Sequence, residues 1–583
     1  MRIVSWKAAI LAAIVSATPL SAQGSGDPRL SSLTDEWHAF QIREFAQVEQ
    51  PDGSTEPGDR YWSATPAAHR ARADFARAML AKLDTLPAAQ FSPAARIDAA
   101  VFRTLLQEEL GDAQFREWEM PFNSDSDFWS YLAARRPFDS AEDYRRYIAR
   151  MRDLPRFFDE QIANARSGLR RGFSAPAVTL KGRDASIAAH VVDSAEKSPF
   201  WAAFAQMPVS MPDAEAEELR TEARAAIAQN VVPAFRKLLT FYRDEYLPNA
   251  RKTLAAEAMP NGKAYYAQQI RQYTTLDLAA DEIHRTGLAE VARIKAAMEK
   301  VKAEADFSGD LMAFIAFLRS DPQFVAKTPD ELMGVSAYAA KRVDDVLEDY
   351  FGVLPRKRFG IRPVDPAIAP FYTAGRGGLD ACQMNTYDLP SRPLYNIPAL
   401  TLHECAPGHS FQMALALEGQ AAPKFRRQTY FSGFGEGWGL YVEYLGNEMG
   451  IYRTPYERFG QLSYEMWRAA RLVIDTGIHS KGWSRERAVA YLADHTALSR
   501  REVETEVDRY ISWPGQALAY KLGEMTMRKV RKKAETALGA RFDIRKFHDV
   551  VLALGSVPLP VLEQRVDDFI ADGGQGLPGV PYH

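Results

Sequence analysis

Residues 401–419 read TLHECAPGHSFQMALALEG, and His403, Glu404 and His409 among them are the first residues with chemistry to offer. His403 and Glu404 open like the His-Glu-x-x-His pattern, in which two histidines four apart on one helical face hold a metal and the glutamate faces its bound water. Here the second histidine is His409, six residues on. At about 100° per residue, a straight helix would set the two rings roughly 120° apart, too far to share an ion. Pro407 and Gly408 lie between them. Proline lacks the N–H and clashes with the preceding turn, while glycine tolerates backbone angles closed to other residues. The pair can therefore loop out and restore the four-residue phase. A proline inside a helix costs about 3 kcal/mol, a cost that points to a purpose. On spacing alone, a helix start with two incidental histidines stays open as the alternative.

Zinc catalysis needs three protein ligands and one open position for water. The candidate third ligand is Glu436, in FSGFGEGWGLYVEYLGNEMG, 33 residues after His403, room for one helix and a loop. Gly435, Gly437 and Gly439 would let the helix carrying it approach closely. Glu443, seven residues further on nearly the same face, is either an alternative ligand or an acceptor that orients a ligand histidine. Glutamates in general are solvated surface charges, and the surrounding glycines and aromatics weaken that reading for Glu436. Two more stretches offer substrate-side groups. Arg471, Asp475 and His479 recur at four-residue spacing as a polar stripe on an apolar helix. Asp475 would fix the tautomer of His479 as a donor to an oxyanion, or the stripe is a structural set of ion pairs. Tyr510, Gln516 and Tyr520 surround a second Pro-Gly break, placed either to meet a scissile carbonyl or simply to pack.

These groups must be positioned by helices. SPAARIDAAVFRTLLQEEL, DAEAEELRTEARAAIAQNVVPAFRKLLTFYRDEYL and LDLAADEIHRTGLAEVARIKAAMEKVKAEA carry apolar residues at three- and four-residue spacing with charges between. Thr328 and Glu331, with Pro329 between, form a capping box, repeated at Ser499 and Glu502. Residues 360–400 break the pattern. Prolines, glycines and short apolar pieces there predict strands and turns, a small sheet directly ahead of the motif whose edge could pair with an extended peptide. No linker or repeat divides the chain, so one large helical body is expected, with the sheet beside the metal site.

At 46% hydrophobic and 25% charged, the 583-residue chain falls among ordinary globular proteins. Residues 1–22 have the layout of a cleavable secretory leader: Arg2 and Lys7, an apolar run, then small residues up to Ala22. The run is short for a retained membrane anchor, and no cysteine near the junction offers a lipid attachment point. Removing the leader takes away Arg2 and Lys7 and moves the formal net charge from −3 to −5, which gives no pull toward nucleic acid or anionic lipid. Cys382 and Cys405 are the only two cysteines. In an oxidising compartment they could form a bridge that pins the expected edge strand to the motif helix. Two separate buried thiols, or metal ligation by Cys405, are the alternatives.

HECAPGHSFQ, GEGWGLYVE, DTGIH followed by GWS, and RY followed by PGQALAYKLG together resemble a large family of mostly bacterial proteins catalogued as domain of unknown function 885 and regarded as metallopeptidase-like. The blocks run in order from His403 to Gly523, while residues from about 31 to 359 look like the family's variable helical half. Cys405 departs from the small residue common at that position. The resemblance implies a mainly α fold with a deep channel, similar to helical zinc carboxypeptidases and oligopeptidases. It further implies His403, His409 and Glu436 as zinc ligands and Glu404 as general base. The expectation is a secreted, periplasmic zinc peptidase acting on short or unfolded peptides, with His479 or Tyr510 binding the oxyanion and Arg471, Gln516 and Tyr520 lining the substrate site. A metal-dependent hydrolase of non-peptide amides or esters, and a degenerate helical binding protein, are the rivals.

Overall fold

The computed structural model describes residues 27–50, 55–124, 127–134, 136–366, 369–419 and 423–582. The leader expected at 1–22 lies outside them. The fold is mainly α, as the periodicity predicts. Among the described residues the only sheets are a short antiparallel pair, Gln47–Glu49 with Thr55–Pro57, and one three-stranded sheet.

The N-terminal half is built on α1, Ala141–Arg171, capped by Ser140 at one end and by Gly172 at φ 72° at the other. Its buried face, including Tyr144, Ile148, Met151, Phe158 and Ile162, packs with Phe200, Phe204 and Phe235 into an aromatic core of its own. The long helical stretch expected from Asp213 is interrupted by π-helical turns at Ile227–Val231 and Tyr242–Tyr246. Pro233 and Pro248 follow these turns. A residue without an N–H cannot continue the α-helical ladder, and the wider turn absorbs the lost bond. The predicted capping box holds: Thr328 Oγ1 accepts from the Glu331 N–H at 3.1 Å, and Glu331 reaches back to the Lys327 N–H at 2.6 Å.

A second, larger core holds the site. Helix α2, Ala280–Glu304, lies against α6, Pro455–His479, with Gly287 so close that an added Cβ would sit 2.7 Å from Leu472 Cβ. Every residue of α6 from Ser463 to His479 is buried, so this part of the helix runs through the interior with no solvent face. Between them in sequence come β1, Gly360–Pro363, β2, Gly375–Arg376, and β3, Ala381–Met384. Strand β3 is central, parallel to β1 and antiparallel to β2, which leaves β2 as an edge. The motif then lies on α3, Ile397–Glu404, and α4, His409–Glu418, followed by α5, Ser432–Glu448, and later α7, Arg500–Ser512, and α8, Ala519–Leu538. Helices α5 and α8 meet backbone to backbone: a Cβ on Gly437 would lie 2.6 Å from Gly523 Cα.

Cys382 on β3 and Cys405 at the end of α3 form a disulfide, with their Cα atoms 5.2 Å apart. Of the alternatives open from sequence, the bridge is the one found, and Cys405 Sγ is spent on it rather than on a metal. It ties the middle strand of the sheet to the residue after Glu404. Replacing both cysteines by alanine is expected to cost about 3 kcal/mol, from the freedom regained by a loop of this length in the unfolded chain. Urea unfolding of the double variant beside the parent checks the value, and an unchanged midpoint would refute it.

Candidate metal centre

Helix α3 stops at Glu404 and α4 starts at His409, so the chain turns through Cys405–Gly408, with a cis Ala406–Pro407 bond. Nothing larger than hydrogen fits at Gly408, where a Cβ would lie 1.9 Å from the His403 carbonyl oxygen. The turn is fastened from α5 by Trp438, whose indole N–H donates to the Pro407 carbonyl at 2.8 Å. The loop-out read from Pro-Gly is therefore present, and it brings the two imidazoles together, with ring centroids 4.8 Å apart and planes at 87°.

Helix α5 supplies the third side. Gly439 faces the His403 ring, and a Cβ there would sit 2.6 Å from Cε1. One turn earlier, Glu436 Oε2 lies 3.5 Å from both His403 Nε2 and His409 Nε2. Ligand atoms of His403, His409 and Glu436 all fall within 4.8 Å of one another. Glu443 takes the supporting place rather than the ligand place. Its Oε1 accepts from His403 Nδ1 at 2.7 Å and lies 3.5 Å from Arg468 Nη2. With Nδ1 committed to Glu443, His403 turns Nε2 toward the cluster, and loss of the Nε2 proton would free that lone pair for an ion. Burial alone would push His403 down, yet its hydrogen bonds to Glu436 and Glu443 outweigh it and hold the imidazole up to about 10. Burial would raise Glu436, but the two histidines hold it well below the usual carboxylate range. The two shifts favour a charged pair between imidazole and carboxylate, and the two nitrogens and one carboxylate oxygen match the kind of donor set that catalytic zinc sites use.

Glu404 stands beside this point, at the end of α3. Its Oε2 accepts from the N–H of Gly377, the residue immediately after edge strand β2. Gly377 is pressed against the motif, where a Cβ would lie 2.4 Å from His409 Cβ. Gly378 N–H donates to Ser410 Oγ at 3.2 Å, and Ser410 Oγ donates to the Glu404 carbonyl at 3.0 Å. The sheet's edge therefore ends on the general-base candidate.

Most of the other expected substrate groups are engaged with interior partners. His479 is fully buried, accepts from the Ala256 N–H at Nδ1 (3.1 Å), and donates from Nε2 to the Tyr510 carbonyl (2.8 Å). Both ring nitrogens are used, so it offers no donor to a substrate. Asp475 does not orient it; Asp475 accepts from the Tyr266 hydroxyl at 2.5 Å and from the Gly515 N–H at 3.2 Å. The Tyr510 hydroxyl accepts from Trp467 Nε1 at 2.8 Å and Arg471 Nε at 3.0 Å, 1% exposed. Arg471 pairs with Glu506 at 2.8 Å and stacks its guanidinium 4.1 Å over the Tyr520 ring. Gln516 and Tyr520 both receive hydrogen bonds from Arg509 Nη2, at 3.3 and 3.4 Å. The reason is α6 itself: a helical stretch without a solvent face must give each polar side chain an internal partner. Sequence reasoning missed Tyr430, whose hydroxyl lies 3.4 Å from Glu436 Oε1, and Gly377; neither falls in a recognisable motif.

Burial holds His479 down to about 3 from an ordinary 6.5. The unfolded chain then binds the extra proton first, so stability from neutral His479 is full above pH 6.5 and lost as pH falls toward 3. His479→Gln, which cannot titrate, should flatten the dependence of unfolding free energy on pH in that window. An equally steep dependence would contradict the buried neutral imidazole.

The overall fold is shared with solved proteins. A "putative lipoprotein" from Colwellia psychrerythraea superimposes with a TM-score of 0.83 at 24% identity, covering 93% of this chain and 99% of that one. A second, from Shewanella oneidensis and described as a "putative lipoprotein of unknown function", gives 0.63 at 18% identity, covering 92% and 98%. At these identities the likeness is one of fold. No curated protein matches the sequence. Residues 51–566 match the family described as bacterial protein of unknown function (DUF885), and the chain belongs to that family.

Proposed function

We propose that this protein is a zinc-dependent peptidase acting on short or unfolded peptides outside the cytoplasm. The observation that carries the reading is the convergence of His403, His409 and Glu436 on one point beside Glu404. His403 and His409 would hold the ion through Nε2 and Glu436 through its carboxylate. When bound, zinc supplies a Lewis acid and lowers the pKa of its water toward about 7. Glu404, held by the Gly377 N–H, takes the proton of the attacking water and passes it to the leaving amine. Glu443 keeps His403 in the ligand tautomer and, with Arg468 beside it, keeps its own buried charge paired. A peptidic substrate is favoured over other amides and esters by strand β2. It is an edge strand ending on Glu404, and an extended peptide paired along it would be led to the base. The apolar leader at residues 1–22 supports export to the periplasm or medium, and among the described residues no helix is long and apolar enough to cross a membrane.

Hydrolysis of a mixed peptide library, read by mass spectrometry with and without a chelator, tests the reading. Chelator-sensitive cleavage is expected, and cleavage of non-peptide esters alone would favour the rival hydrolase. Glu404→Gln should retain metal and lose turnover by about 10³-fold or more, because the amide accepts no proton. Glu436→Gln should instead weaken metal binding, and Glu443→Gln should weaken it about 10–100-fold. Equal metal loss in the Glu404 and Glu436 variants would show these roles to be wrong.

A further inference from the structure

Hydrolysis of an amide puts negative charge on the carbonyl oxygen, and a donor aimed at that oxygen is among the largest contributions a site can make. With His479 and Tyr510 engaged in the interior, the donor must come from elsewhere. The Tyr430 hydroxyl contacts the cluster directly. Tyr430 precedes α5 by two residues, and its hydroxyl lies 3.4 Å from Glu436 Oε1. That oxygen is the one not turned toward the two imidazoles, which face Oε2. The separation exceeds the usual range of about 2.5–3.0 Å for O–H···O, so the hydroxyl is only weakly held.

The surroundings of Tyr430 differ from those of the other tyrosines near the site. It is 49% exposed overall, whereas Tyr510 and Tyr520 are 1% and 6% exposed, while its hydroxyl end is turned inward and buried. Glu404 and Tyr520 are close enough to act on its hydroxyl electrostatically. Gly435 lets it reach there. A Cβ on Gly435 would lie 2.4 Å from both Cε2 and the hydroxyl oxygen of Tyr430, so the hydroxyl end of the ring packs on the glycine next to Glu436.

We propose that Tyr430 is the residue that stabilises the developing oxyanion. Its hydroxyl leaves Glu436 and donates a hydrogen bond to the carbonyl oxygen of the scissile bond as that oxygen gains charge. The phenol keeps its proton throughout; it donates a hydrogen bond and forms no covalent bond. This assignment rests on the peptidase reading and adds the group that touches the reacting oxygen.

Tyr430→Phe keeps the ring over Gly435 and removes only the hydroxyl. Its kcat should fall on the order of 10²-fold, with KM changed by no more than about twofold and zinc affinity unchanged. Affinity for a phosphinic peptide analogue, whose tetrahedral anion copies the charged oxygen, should fall by a similar factor when measured by calorimetry. Gly435→Ala gives an independent check, since it displaces the hydroxyl without deleting it and alanine is a better helix former than glycine. It should lower kcat and analogue affinity in the same direction. Normal turnover in either variant would overturn the assignment. Zinc affinity falling in step with turnover would overturn it too, making Tyr430 a support for Glu436. If the parent neither binds zinc nor cleaves peptides, the peptidase reading fails and the donor role with it. An active parent with an unaffected Tyr430→Phe variant removes the donor role alone.

Discussion

Two histidines six residues apart cannot face one point from a single straight helix, and the site is arranged around the break that removes this conflict. The turn at Cys405–Gly408 lets α3 end on His403-Glu404 and α4 begin on His409. Each neighbour then has a part in holding the turn. Trp438 hydrogen-bonds the Pro407 carbonyl, the Cys382–Cys405 bridge ties the turn to β3, and Gly377 packs against His409 while bonding Glu404. The same helix that fastens the turn also presents Glu436 and, through the bare backbone of Gly439, admits the His403 ring. Fold and site are therefore one construction: the contacts that bury α5 are the contacts that bring three donors together.

Helix α6 carries the other consequence. Its passage through the core forces Glu465, Arg468, Arg471, Asp475 and His479 to find partners inside the protein. Most serve packing, as in the Arg471–Glu506 pair and the Lys521–Glu465 pair at 2.9 Å. Arg468 extends this network to the candidate centre, through Glu443 and then His403. A buried charge left without its partner is costly, commonly several kcal/mol, so this network fixes the orientation of His403 as well as the helix.

Much of the centre was legible in the residues. Pro407-Gly408 announced a break because both residues disobey helical geometry, and the glycines around Glu436 announced a close approach. The capping boxes and the irregular stretch at 360–400 marked helix starts and the small sheet for equally local reasons. The substrate-side groups were not legible. A four-residue stripe such as Arg471–Asp475–His479 looks the same whether it lines a cleft or crosses a core, and only the packing of α2 and α8 around α6 decides. The bridge between Cys382 and Cys405 stayed open for the same reason, since a 23-residue separation does not fix a 5.2 Å approach. Tyr430 carried no signal at all: its place depends on a turn and on the missing side chain of Gly435.

The central claim is that His403, His409 and Glu436 form a zinc centre completed by water. X-ray absorption at the zinc edge on the zinc-loaded protein tests it most directly. One zinc per chain is expected, with nitrogen and oxygen neighbours at about 2.0–2.2 Å, two of them imidazoles, and no sulfur. A sulfur neighbour near 2.3 Å, or an ion retained unchanged after His409→Ala, would contradict it.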